Sequence, residues 1–150
     1  MLLGASLALF AAAAPAHAQV ACSVSSTGVD FGRYDGTARV PDDATGSITV
    51  VCTAHGPSAF AYSIGLIATQ GSAAARVMNF AARRLIYQLY RDPARTELWA
   101  DAAGQTVSFA GSLAAGHASV QHFTVYGRIP ARQIVAPGTY QDQVVVALTY

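Results

Sequence analysis

Few side chains in this sequence stand where they could do chemistry together. Its only thiols are Cys22 and Cys52. Two cysteines can form a disulfide, hold a metal or shuttle electrons. Their spacing is far too long for C-x-x-C, and no His or Cys joins them at ligand spacing. In an exported protein an even count reads as a structural disulfide, and with two the pairing is forced. Past the first eighteen residues the histidines are His55, His117 and His122; no two have metal spacing, and H-E-x-x-H is absent. They read as loop or surface residues. No G-x-S-x-G elbow surrounds any serine. Asp42-Asp43 could suggest an acid pair or a calcium site. Neighbours on an extended chain point oppositely, however, and no calcium-loop pattern encloses them. They read as a solvated turn. Glu97 is the only Glu, so no carboxylate pair offers itself for acid–base work. Arg91-Asp92-Pro93-Ala94-Arg95 reads as a tight turn capped by Asp92, its arginines solvated or paired. Trp99 reads as a core residue. The expectation is no catalysis, no metal and no cofactor.

The compartment follows from the beginning of the chain. Leu2–Ala14 is an apolar run, followed by Pro15 and by Ala16-His17-Ala18, an A-x-A cleavage pattern. Residues 1–18 read as a secretory signal peptide, too short to span a membrane. Residues 19–150 then form one domain of ordinary size. Its charge is nearly balanced, with nine arginines, no lysine and eight acids. No basic block points to nucleic acid. No later apolar run is long enough for membrane insertion.

Short apolar runs separated by Gly, Pro, Asp and Ser clusters predict an all-β sandwich or barrel. The expected strands are Ala21–Ser25, Gly28–Tyr34, Gly46–Thr53, Phe60–Ile67, Arg83–Arg91, Thr106–Ala110, Ser119–Arg128 and Tyr140–Tyr150. Ile48, Val50 and Cys52 share a face, as do Phe60, Tyr62, Ile64 and Leu66, and Leu85, Tyr87 and Leu89. Residues 73–90 are Ala- and Arg-rich; coil or a short strand to Phe80 and then a strand is preferred over a helix. Turn chemistry lies at Pro41-Asp42-Asp43, His55-Gly56-Pro57, Asp92-Pro93, Ala115-Gly116 and Pro137-Gly138. The last strand alternates Val144, Val146, Leu148 and Tyr150 on one face. Buried, it needs neighbours on both backbone edges.

Several segments in this order resemble a known family. They are Cys22-Ser23-Val24, Val29–Tyr34, Gly46–Cys52, Leu85–Asp92, Val125–Pro130 and Gly138-Thr139-Tyr140-Gln141-Asp142. Together they resemble the spore coat protein U domain, shared with subunits of archaic, Csu-type chaperone–usher pili. The resemblance implies an incomplete immunoglobulin-like β-sandwich lacking its final strand. It further implies a groove filled by a periplasmic pilus chaperone and later by a neighbouring pilus subunit. Export through an outer-membrane usher to the cell surface, attachment and biofilm roles, or a place in a spore coat, are implied as well. The groove wall would be Val144, Val146, Leu148 and Tyr150. Between the expected cleavage site and Cys22 stand only Gln19, Val20 and Ala21, about 10 Å of extended chain. A donor strand needs about five residues or more. The sequence therefore reads as an acceptor rather than a donor: a tip or terminating subunit, the first domain of a longer tip protein, or a chain cleaved earlier than Ala18. A tip adhesin or ligand-binding domain is the alternative reading.

Overall fold

A computed structural model describes residues 20–150; the expected signal peptide, residues 1–18, lies outside the described residues. Nine strands follow in chain order: β1 (Val20–Thr27), β2 (Asp42–Ala54), β3 (Ser58–Ala68), β4 (Gly71–Ser72), β5 (Ala75–Phe80), β6 (Arg83–Tyr90), β7 (Val107–Leu113), β8 (Ala118–Ile129) and β9 (Val144–Thr149). They form two sheets, ordered β1-β2-β8-β6-β5-β4 and β7-β3-β9. All pairings are antiparallel. The described chain is thus all-β, as the alternation predicts.

The core lies between the two sheets. Ile48, Val50 and Cys52 of β2 point inward against Tyr62, Ile64 and Leu66 of β3, and Leu85, Tyr87 and Leu89 of β6 join them. Period-two side chains place each set on one face, so burial follows directly from register. Trp99 is 1 % exposed, and its indole N–H donates to the Ile64 carbonyl at 2.9 Å. Cys22 and Cys52 are bonded across β1 and β2, where they are register partners. Of the histidines, His55 and His117 are exposed in loops; His122 lies on the outer face of β8, its Nδ1 2.9 Å from the Thr49 hydroxyl.

Three expectations need correction. The Gly28–Tyr34 strand is absent. That segment keeps alternate inward residues, with Val29 and Phe31 against the core, but forms no ladder. Asp30 Oδ1 accepts the Gly32 N–H at 2.9 Å, and Gly32 sits at φ 65°, which turns the chain out of extended geometry. Asp42 and Asp43 are not a turn: they open β2, paired with Ile129 and Arg128. Asp43 receives a two-pronged bond from Arg128, at 2.7 and 2.8 Å, which favours the extended pairing. Finally, β9 begins at Val144 rather than Tyr140. Ahead of it, Gln141 bridges to Asn79, and the Asp142 carboxylate accepts the Gln143 N–H at 2.8 Å.

Candidate strand-acceptor groove

Strand β9 is hydrogen-bonded on one edge, to β3, and among the described residues no strand lies on its other edge. Strand β1 likewise pairs only with β2. These two edges border an open flank of the sandwich. At one end of it the Tyr150 hydroxyl lies 3.5 Å from the Cys22 carbonyl oxygen. At the other, a cleft of about 280 Å³ separates residues 26–31 from Val144 and Val146. Its floor is the core itself: Ile48, Leu66, Leu89 and Val125. A second cavity of about 620 Å³ lies beyond, between residues 29–36 and 135–140. Val29, Phe31, Met78 and Tyr140 line both.

The walls are held by specific contacts. Gly127 of β8 has no Cβ because Phe31 and Val29 lie on it; a methyl there would stand 2.7 Å from each. That close approach seats the Val29–Phe31 wall without a ladder. Opposite, Asp142 fixes the start of β9. The Tyr87 hydroxyl donates to its Oδ2 at 2.7 Å, and the Thr69 hydroxyl to its Oδ1 at 3.1 Å. Burial, then the hydrogen bond and charge of Asp142, push the Tyr87 phenol well above its ordinary pKa. Beside Tyr87 in register lies Arg76, completely buried. Its Nη2 donates to the Leu66 carbonyl at 2.7 Å and the Trp99 carbonyl at 3.1 Å. Burial draws its pKa down, while the Tyr87 and Asp142 oxygens oppose that change.

Of the expected wall residues, Val144, Val146 and Leu148 are half-buried and pack on the core. The fourth, Tyr150, lies one residue past the end of β9 and is 65 % exposed. The sequence offered no sign of Arg76, which sits in an Ala- and Arg-rich stretch. Asp142, in contrast, closes the G-x-Y-x-D segment that carried the resemblance. Among the described residues no cluster of His, Cys, Asp or Glu could hold a metal ion.

The Spore Coat Protein U domain profile matches residues 7–147. The chain belongs to the spore coat protein U domain family. It is 34 % identical to "Protein U" of Myxococcus xanthus over 144 residues, covering 87 % of this chain and 78 % of that protein. In fold it is similar to a chain in the crystal structure of a chaperone–tip adhesion subunit pre-assembly complex from archaic chaperone–usher Csu pili of Acinetobacter baumannii. The TM-score is 0.55 at 18 % identity, over 88 % of this chain and 40 % of that one. This chain therefore spans less than half the length of the solved chain. The two-sheet architecture is accordingly an immunoglobulin-like sandwich. No helix among the described residues is long and apolar enough to cross a membrane.

Proposed function

We propose that this protein is an exported structural subunit, without catalytic activity, that receives a β-strand from another polypeptide into the groove beside β9. The carrying observation is that groove: a free strand edge flanked by a cleft whose floor is core Ile48, Leu66, Leu89 and Val125. An inserted strand would bond its main chain to β9 and send alternate side chains to the core, which is strand addition. The family membership supports a place in a surface fibre or coat. By analogy with the Csu complex, the donors would be a periplasmic chaperone and then a neighbouring subunit, with an usher as the export route and attachment and biofilm formation as the outcome. The likeness to Protein U favours a second setting, a cell- or spore-surface coat, in which the same groove would join subunits.

The test adds synthetic peptides of alternating apolar sequence to the purified mature protein. A binding peptide raises the melting temperature by several degrees, since a ligand of the native state alone stabilises it by mass action. A scrambled peptide of the same composition does not. A stable monomer that ignores every such peptide would refute the reading.

A further inference from the structure

One end of the sandwich collects the arginines that have no partner. The first residues of β2 pair there with the last of β8, and β6, antiparallel to β8, begins beyond them, with the loops 30–41 and 130–136. The Tyr34 hydroxyl donates to the Pro130 carbonyl and accepts the Gln133 N–H, both at 2.9 Å, which ties the two loops together. The Gln133 side chain accepts the Ile86 N–H at 2.9 Å and donates to its carbonyl at 2.7 Å, which adds the start of β6. Arg33, Arg39, Arg83, Arg84 and Arg132 therefore share this end, and all are exposed. None has an ion pair among the described residues; of the paired arginines, Arg128 stands at the same end against Asp43, which Arg95 also approaches at 3.4 Å, while Arg91 pairs with Glu97. The acids nearby are few. Asp30 accepts from the backbone of its own turn, Asp35 accepts from the Thr37 N–H and hydroxyl and feels the charge of Arg33, Asp42 is half-buried at the head of β2, and Asp43 is taken by Arg128 and Arg95.

The same end carries the most exposed large apolar side chains of the described residues. Ile134 is 89 % exposed and Val40 69 %. Their loops touch: a Cβ on Gly36 would meet the backbone of Gln133 and Ile134. Beneath lies the cavity of about 620 Å³, with Arg33 and the apolar Met78, Leu85 and Ile129 in its lining. A soluble polyanion would satisfy the arginines and leave Ile134, Val40 and the apolar cavity without use. A phosphate-bearing amphiphile satisfies all of them. Guanidinium groups match phosphate geometry, and apolar tips gain by leaving water.

We infer that this end docks on an anionic lipid surface, through Arg33, Arg39, Arg83, Arg84 and Arg132 to phosphates and through Val40 and Ile134 to the acyl boundary. The contact is peripheral.

Co-sedimentation of the mature protein with vesicles tests it. The protein pellets with phosphatidylcholine–phosphatidylglycerol vesicles and not with phosphatidylcholine alone, and high salt releases it. Each arginine replaced by serine, at Arg33 and Arg132 or at Arg83 and Arg84, weakens binding about five-fold. Val40→Ser with Ile134→Ser also weakens it, while Val145→Ser, on a distant exposed face, does not. The two arginine pairs lie on different elements, so misfolding of one variant leaves the other to decide. No binding to the anionic vesicles overturns the inference. So does binding that none of these substitutions changes. Displacement by soluble polyphosphate, with the Val40 and Ile134 changes silent, would reveal a plain polyanion site and overturn it too.

Discussion

At the residue scale, single side chains hold the groove's walls in place. Gly127→Ala should push Val29 and Phe31 off β8, because its methyl would overlap both. A cost of about 1–3 kcal/mol is expected from such overpacking, read as a lower denaturation midpoint, with weaker peptide binding from the displaced wall. Cys22→Ser should lower stability by about 3 kcal/mol, since the bridge closes a loop of 30 residues. Equal melting temperatures for the two proteins would contradict that. The Asp43–Arg128 pair gives a pH signature. Its hydrogen bond to Arg128 holds the Asp43 carboxyl below its ordinary pKa. A depressed folded pKa contributes stability above the unfolded value, and that contribution is lost as pH falls through the folded one. Asp43→Asn should therefore be less stable than the parent at neutral pH, by under about 1 kcal/mol for a part-exposed pair. The difference should vanish in strong acid. Arg76 shows where sequence reading stops. Nothing in a run of Ala and Arg marks one guanidinium as buried, because its partners are carbonyls of Leu66 and Trp99, remote in the chain.

At the scale of elements, period-two alternation marks the strands that the ladder then pairs. β3, β6 and the inner faces of β2 and β9 could be read from period-two apolar residues. The segment after β1 shows why alternation is not pairing. Val29 and Phe31 face the core as a strand's residues would, yet Asp30 and Gly32 turn the backbone away from a ladder. The Asp42-Asp43 start of β2 was hidden because two acids resemble a turn; only the register with Arg128 makes them strand. The last strand pointed to the face that borders the cleft, but not to the opposite wall at residues 26–31, since Val29 and Phe31 there form no ladder. Val146→Asp tests the face directly. Buried without a counter-charge, the carboxylate should cost about 2–4 kcal/mol and abolish any peptide-induced rise in melting temperature. Val145→Asp, on the 50 % exposed outer face, should do neither. Equal effects of the two would mean that β9 does not present that face to the core.

At the scale of the molecule, the ends of the sandwich differ in charge. The loops 54–58 and 114–118 carry no Arg, Asp or Glu, and their titratable side chains are His55 and His117. The opposite end holds the unpaired arginines. The flank between β1 and β9 leaves strand edges that invite pairing with other chains. The isolated protein should therefore self-associate with rising concentration, and a groove-filling peptide should return it to a monomer in size-exclusion chromatography. Association that persists with the groove filled would place the sticky surface elsewhere.

The bridge between Cys22 and Cys52 has a mechanical consequence. Traction on the chain ahead of Val20 would reach β1 within two residues of the bridge. There the load passes through sulfur into β2, a strand paired along its length with β8. Peeling β1 away one hydrogen bond at a time is blocked from the bridge onward. The sheet must instead yield by shearing many bonds at once, a far stiffer response than unzipping. Reduced protein should extend under lower force in single-molecule pulling than oxidised protein.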